Sequence, residues 1–234
     1  MAGLTEMNDT ILDEQVAYYK ERASEYDEWH LRLGRYDRGE EHKRQWFSEL
    51  NTIRSALNQE KPFGRCLELA CGTGLWTGDL AIGADSITAI DAVPEVIEIN
   101  RSKNSKSTIH FEVADLFEWQ PSQLYDFIFF AFWLSHVPPN RLDRFWNMIR
   151  AALKPNGKVF FADSLQTQDS TARNHTEIDD SGVVERKLNN GQTFNIVKIF
   201  HNPDRLQLQL QAIGFKGYIN STGKYFYYGC IAQK

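Results

Sequence analysis

The sequence predicts an α/β protein built on one mostly parallel, seven-stranded sheet, with a helical N-terminal cap, an antiparallel last strand and a hairpin inserted after the fifth strand. Three observations support this fold. Short apolar segments alternate with helical ones between residues 65 and 162, which is the pattern of right-handed βαβ units. A glycine-rich turn directly follows the first strand, at residues 72–74. Asn-Asn-Gly at residues 189–191 separates two strand-like segments, as in a hairpin.

The chain divides into a cap, residues 1–60, and a core, residues 61–234, which carries a substrate-side insertion at about 163–200. In the cap, apolar residues at helical spacing predict helices over 10–28 and 40–57. A Pro-Phe-Gly sequence then breaks the chain before the first strand.

Apolar segments bounded by turn residues predict the elements of the core. The strands before the insertion are expected at 65–69, 86–90, 108–113, 125–130 and 158–162, and the helices at 75–82, 94–100 and 139–153. The hairpin strands, 183–188 and 192–200, are followed by a helix at 203–212 and by two last strands, 216–220 and 225–232. We expect this last pair to form an antiparallel edge of the sheet.

Composition excludes several classes of protein. A hydrophobic content of 42% with 24% charged residues is ordinary for a globular protein, so the chain can bury a sizeable core. The net charge is −5 and there is no long basic run, which argues against a nucleic-acid-binding surface. The three cysteines show no CxxC spacing, so neither a disulfide framework nor a zinc site is expected.

The chain also gives no sign of export or membrane insertion. Its first ten residues lack the basic start and the apolar stretch of a signal peptide. The most apolar run, 127–134, is too short to span a bilayer. We therefore expect a cytoplasmic protein, monomeric or homodimeric, that binds a small molecule rather than nucleic acid or a membrane.

The glycine turn is the first candidate for ligand binding. Glycine lets a backbone approach a ligand closely, and ligands of parallel sheets bind at the carboxyl ends of the strands. The alternative is a tight strand–helix turn without a ligand. Thr77 stands where a dinucleotide-binding fingerprint places its third glycine, which weakens an NAD interpretation.

Two aspartates follow the next two strands. Asp91 can accept hydrogen bonds from the two hydroxyls of an adenosine ribose, or it can cap the helix that begins near Pro94. Asp115 can accept a hydrogen bond from an adenine amino group while Leu116 lies against the ring, or it can be a solvated turn residue. Three strand ends in a row thus carry groups suited to an adenosine ligand.

This combination resembles the class I S-adenosylmethionine-dependent methyltransferases, whose fold is Rossmann-like. Residues 68–74, ELACGTG, are similar to the first motif of that family. Asp91 matches the acidic residue of the second motif, and Ala114-Asp115 matches the third. Residues 153–158, LKPNGK, resemble the segment before the fifth strand. The resemblance covers about 61–162 and the terminal strand pair.

The resemblance implies that the cofactor is S-adenosyl-L-methionine and that the product is S-adenosyl-L-homocysteine. It places the ribose at Asp91 beside Ala92, and the adenine at Asp115 and Leu116. Glu68 is expected to support the glycine loop or the amino group of the ligand. The loop residues expected at the methionine part are Ala70, Gly72, Thr73 and Gly74.

The cap carries a second resemblance. Residues 18–27, YYKERASEYD, are similar to the segment that covers the cofactor in small-molecule members of the family. Tyr19 and Tyr26, seven residues apart, share a helix face and can reach the methionine carboxylate, with Arg22 as its counter-ion. The alternative is that both tyrosines only pack.

The segment after the fourth strand is the candidate reaction centre. Phe132 is expected to line the cofactor. His136 is a candidate general base, or else a structural residue at the start of the next helix. The residues expected at the substrate are Trp29, Trp133, His136, Arg173 and Arg186.

The sequence therefore predicts a metal-independent methyltransferase that modifies oxygen or nitrogen of a small acceptor, for which the aromatic residues favour an aromatic or apolar compound. Carbon methylation is an alternative within the family. An NAD(P)-dependent oxidoreductase and a non-catalytic cofactor-binding module are alternatives outside it.

Overall fold

The computed structural model describes residues 9–173, 175 and 181–234. In this part of the chain the helices are α1 Asp9–Glu21, α2 Asp27–Leu31, α3 Glu40–Gln59, α4 Thr77–Leu80, α5 Pro94–Lys103, α6 Leu142–Ala152 and α7 Pro203–Ala212. The strands are β1 Gly64–Leu69, β2 Ala84–Asp91, β3 Ile109–Val113, β4 Tyr125–Ala131, β5 Leu153–Ser164, β6 Val183–Lys187, β7 Thr193–Val197, β8 Phe215–Ser221 and β9 Phe226–Gln233.

Seven of these strands form one sheet in the order β3-β2-β1-β4-β5-β9-β8. The pairs from β3 to β5 are parallel, and β9 is antiparallel to both of its neighbours. The predicted Rossmann-like sheet with an antiparallel last strand is thereby confirmed. The terminal pair forms the antiparallel edge of the sheet as expected, with β9 paired to β5 and β8 outermost. β9 is buried along most of its length, whereas β8 is mostly exposed, so the more apolar strand takes the interior position.

Helices cover both faces of the sheet, since successive strand residues point to opposite sides. On one face, Leu67 and Phe130 pack with residues of α6 and α7 such as Trp146 and Leu206. On the other face, Phe127 packs with residues of α3, α4 and α5. The core is therefore divided by the sheet into two apolar layers.

Helix α3 belongs to the second of these layers. Trp46, Leu50 and Ile53 are fully buried in the same cluster as Phe127 and Phe160 of the sheet. α3 of the predicted cap therefore packs into the core. α1, α2 and the turns between α1 and α3 form the cap that lies over the carboxyl edge of the sheet.

Several element boundaries differ from the sequence prediction. The helix predicted over 10–28 is interrupted by a 3₁₀ turn, Ala23–Glu25, because Glu25 is buried and takes up contacts with the hairpin. The helix after the glycine turn is one short turn, and the chain at Pro139–Arg141 is 3₁₀ before α6 begins. β5 already begins at Leu153, and the register against β4 shifts between Tyr125 and Phe127 as the Pro-Asn-Gly sequence bulges out of the ladder.

The predicted hairpin is confirmed as an antiparallel pair, β6 and β7, outside the main sheet. α1 lies along β7, where the Gln15 side chain accepts a hydrogen bond from the Val197 N–H at 3.1 Å and Glu14 accepts one from the Asn195 N–H at 2.6 Å. The helix and the hairpin therefore form one layer above the sheet edge. Within the described ranges, no helix has both the length and the apolar character needed to cross a bilayer.

We predict that Leu50→Ala lowers the free energy of unfolding by about 2–5 kcal/mol, because it removes a fully buried side chain and leaves a cavity. Urea titration followed by circular dichroism measures this change. Leu208→Ala is the matched control, since Leu208 is 65% exposed on α7 and should cost less than about 0.5 kcal/mol. An equally small loss for Leu50→Ala would contradict the assignment of α3 to the core.

Candidate active site

Two cavities lie side by side at the carboxyl edge of the sheet. The first, here called the strand-end cleft, has a volume of about 840 Å³ and runs along the ends of β1, β2, β3 and β4 under α1. The second, here called the cap cavity, has a volume of about 590 Å³ and lies between the cap, the hairpin and the segment after β5. The residues that line both are Tyr19, Tyr26, Phe132 and His136.

The loop after β1 has left-handed backbone at Ala70, Gly72 and Gly74. A Cβ at Gly74 would lie 2.3 Å from Oδ1 of Asn100 in α5, so close packing requires glycine there. Gly72 faces the ring of Tyr26, to which a Cβ would come within 3.9 Å. Gly74 is thus needed for helix packing, whereas Gly72 presents bare backbone to the cleft.

Asp91 holds the glycine loop in place. Its Oδ2 accepts a hydrogen bond from the Gly72 N–H at 2.9 Å, and its Oδ1 accepts one from the Val93 N–H at 3.0 Å. Burial raises the pKa of Asp91 to about 6. The carboxylate lines the cleft, so the turn-stabilising interpretation and the ligand-binding interpretation are compatible.

Asp115 stands at the next strand end in the same cleft, together with Leu116. Its Oδ1 accepts a hydrogen bond from the Phe117 N–H at 2.8 Å, which fixes the turn after β3. Leu116 and Phe117 are buried and give the cleft an apolar wall beside this carboxylate. A flat ring with an amino group at its rim matches such a surface.

Glu68 lies beneath the glycine loop with Thr73, in a smaller cavity of about 320 Å³. The side chain is buried, and burial raises its pKa to about 8. Its Oε2 has no hydrogen-bond partner among the described residues. A buried acceptor without a donor is costly unless a ligand supplies one.

His136 has both ring nitrogens engaged. Nδ1 lies 2.6 Å from the Val197 carbonyl oxygen, so it carries the proton and donates it. Nε2 then accepts the hydrogen bond of the Tyr19 hydroxyl at 2.9 Å. Burial lowers the pKa of His136 to about 3, so the ring is neutral near pH 7. The lone pair of Nε2 already accepts the hydrogen bond of Tyr19, which disfavours the interpretation of His136 as a direct base.

The structure brings together most of the residues that the sequence singled out. Of the residues predicted for the cofactor, those that line the strand-end cleft are Tyr19, Tyr26, Ala70, Gly72, Asp91, Ala92, Asp115, Leu116 and Phe132, with Glu68 and Thr73 in the small cavity below. Of those predicted for the substrate, Trp29, His136 and Arg186 line the cap cavity.

Four of the predicted site residues lie outside the cavity for which they were predicted. Arg22, directly after α1, lines the cap cavity rather than the cleft, and its Nη2 donates a hydrogen bond to the Tyr36 hydroxyl. Trp133 lines the cleft rather than the cap cavity. Arg173 is exposed and lines neither cavity, and Gly74 packs on α5.

Among the cap-cavity residues that sequence reasoning missed are Tyr18, Tyr36 and Lys198. They come from α1, from the turn before α3 and from the chain just after β7, and only tertiary contacts bring them together. Lys198 donates a hydrogen bond to the Ser135 hydroxyl at 2.7 Å and lies 3.5 Å from Asp163. The one local sign of these residues in the sequence is that Tyr18 directly precedes Tyr19.

The comparisons with known sequences give one family. A family model described as a methyltransferase domain matches residues 20–218. Nodulation protein S of Sinorhizobium fredii is 29% identical over 167 residues, which cover 70% of this chain and 72% of that protein. The ubiquinone biosynthesis O-methyltransferase of Xanthomonas euvesicatoria is 32% identical over 104 residues, 42% of each chain.

Solved structures agree with this family. The complex of DhpI with SAM and HEP is 31% identical, with a TM-score of 0.81, and covers 97% of this chain and 100% of that one. A complex of DhpI with SAH gives a TM-score of 0.77 at the same identity. The N-methyltransferase NodS of Bradyrhizobium japonicum, in complex with S-adenosyl-L-homocysteine, has a TM-score of 0.65 at 15% identity, over 94% and 99% of the two chains, and is similar in fold.

We predict that Asp91→Ala weakens the binding of S-adenosylhomocysteine by about 1–3 kcal/mol, roughly 5-fold to 150-fold, because it removes a charged acceptor from the cleft and loosens the Gly72 turn. Isothermal titration calorimetry measures the affinity. Asp85→Ala is the matched control, since Asp85 is exposed at the opposite end of the same strand. Equal affinities for the two variants would remove Asp91 from the ligand site.

Proposed function

Because the chain belongs to the class I S-adenosylmethionine-dependent methyltransferases, we propose that it transfers a methyl group to an oxygen or nitrogen atom of a small acceptor held in the cap cavity. It is an S-adenosylmethionine-dependent enzyme of the small-molecule type. The relatives include an N-methyltransferase and O-methyltransferases, which supports both acceptor atoms.

The residues of the strand-end cleft, with Glu68 in the small cavity below it, fit the cofactor. The unpartnered Oε2 of Glu68 offers an acceptor to an amino group, and Gly72 leaves room where a side chain would stand. The carboxylates of Asp91 and Asp115 are spaced along consecutive strand ends, as ribose and adenine require. When bound, S-adenosylmethionine supplies a methyl group already activated on a sulfonium.

The observation that carries the proposal is the wall shared by the two cavities. Tyr19, Tyr26, Phe132 and His136 line both, so the two cavities adjoin at these side chains. Methyl transfer is an in-line displacement, and it needs two ligands in contact along one line with water excluded. The aromatic wall provides such a meeting point.

In this proposal Tyr19 and His136 act as one unit at the wall. His136 is fixed by the Val197 carbonyl and holds the Tyr19 proton, so the lone pairs of the Tyr19 oxygen are free to accept a hydrogen bond. Tyr19 is the catalytic residue that receives or orients the acceptor. His136 is a positioning residue that acts through Tyr19.

The proposal is tested by incubating the purified protein with S-[methyl-³H]adenosylmethionine and a panel of small hydroxyl, amino and acidic compounds. Label is expected in an oxygen or nitrogen product that mass spectrometry identifies. S-adenosylhomocysteine must form in equal amount. Binding of S-adenosylhomocysteine without transfer to any class of acceptor would favour a non-catalytic cofactor-binding module, and carbon-bound label would contradict the proposed acceptor atom.

We predict that Tyr19→Phe and His136→Ala each lower the methyl-transfer rate about 10-fold to 100-fold, because the first removes the Tyr19 hydroxyl and the second removes the acceptor that orients it. The double variant should be no slower than either single variant, as expected for two residues that act through one hydrogen bond. Rates are measured with the acceptor identified above. Multiplicative losses in the double variant would contradict a common role.

The matched control for this cycle is Tyr218→Phe, since Tyr218 lies on the edge strand β8 and should leave the rate unchanged. Since the pKa of His136 is lowered to about 3, its protonation should produce no inflection in kcat between pH 5 and 8. An inflection near pH 6.5 that disappears in His136→Ala would show instead that His136 titrates during turnover.

A further inference from the structure

We infer that the cap cavity binds its acceptor by an anionic oxygen group, such as a carboxylate or a phosphate group, through Arg22, Arg186 and Lys198. This inference rests on the proposed function, since it names the class of acceptor that the cavity takes. It differs from the expectation of an aromatic or apolar acceptor, which rests on aromatic residues of which Tyr225, Phe226 and Tyr227 are fully buried.

Three cationic side chains line this cavity, and no described carboxylate does. Arg22 and Arg186 are 8% and 7% exposed, and neither is within salt-bridge distance of an acid in the described part of the chain. Lys198 lies 3.5 Å from Asp163, but the Asp163 carboxylate also accepts hydrogen bonds from Ser135 and Ser164. Counted over the described residues alone, the cavity wall therefore carries more positive than negative charge.

Several donors on this wall have no acceptor among the described residues. Nη1 of Arg186, Nε of Arg22 and the hydroxyl of Tyr18 are all buried and without a hydrogen-bond partner there. The Tyr18 side chain is fully buried. Arginine presents a planar set of N–H groups that matches two oxygens at once, which is the geometry of carboxylate and phosphate groups.

The arrangement is costly without a ligand. Burial lowers the pKa of Arg186, and the charge of Arg22 lowers it further. Burial also lowers the pKa of Lys198, and the charges of Arg186 and Arg22 lower it further. Like charges held together in a buried cavity destabilise one another, and a bound oxyanion relieves this by pairing with all three. A neutral acceptor would leave the repulsion in place.

Tyrosine side chains surround the Arg22 guanidinium. Arg22 lies over the ring of Tyr26, 4.9 Å from its centroid, and its Nη2 donates a hydrogen bond to the Tyr36 hydroxyl at 3.4 Å. Tyr26 belongs to the wall shared with the strand-end cleft. An oxyanion at Arg22 is thus adjacent to the place where methyl transfer is proposed.

The experiment uses the full chain saturated with S-adenosylhomocysteine. Inorganic phosphate and sodium acetate are each titrated calorimetrically, at an ionic strength kept constant with sodium chloride. Saturable binding of one or both anions below about 10 mM is expected. Binding of phosphate alone assigns a phosphate group, binding of acetate alone assigns a carboxylate, and binding of neither overturns the inference.

Variants locate the anion. Arg186→Gln is expected to weaken anion binding at least 10-fold, whereas Arg186→Lys should retain part of the binding. Arg144 is exposed on α6, so Arg144→Gln is the control and should change anion binding less than 2-fold. Unchanged anion binding in Arg186→Gln would overturn the inference. Each variant must bind S-adenosylhomocysteine normally, which shows that it has folded. Failure of the wild type to bind S-adenosylhomocysteine contradicts the proposed function instead, so the two failures are distinguishable.

Discussion

The site depends on the reversal of strand order between β1 and β4. To one side of this point the sheet continues with β2 and β3, and to the other side with β5 and β9. The connections that follow β1 and β4 therefore leave the sheet in opposite directions, and a crevice opens between them. Ala70 and Phe132 stand at its two sides, both with left-handed backbone that turns the chain away from the sheet. Every other feature of the site is built above this crevice.

The layer above the crevice is held by polar contacts rather than by a large apolar core. Glu25 in the cap is buried, forms a salt bridge with Arg35 at 3.0 Å and accepts a hydrogen bond from the Asn189 N–H in the hairpin turn. Arg32, fully buried, donates to the carbonyl oxygens of Asp169 and Ser170 and lies over the Trp46 ring. The cap therefore connects the hairpin, the segment after β5 and α3. This arrangement closes a cavity whose interior can stay polar.

The sequence predicts the strand-end cleft well, because its groups are set by local pattern. The residues that follow a strand directly or end it are Gly72, Asp91 and Asp115. Parallel strands bring such positions to one edge of the sheet, independently of the conformation of the loops. The cap cavity is different. The sequence places Arg22 at the cofactor and gives no sign of Lys198, because the positions of both depend on α1 lying along β7. No spacing within either segment encodes that contact, so the charge of the cavity became visible only in three dimensions.

The position of β9 has a consequence for how the protein is made. During synthesis the parallel strands emerge first, and the edge of β5 stays unpaired until residues 226–233 have left the ribosome. That edge includes Phe160 and Phe161, an apolar strand of the kind that pairs readily with other chains. The apolar edge of β5 is thus open to strand pairing until β9 inserts beside it.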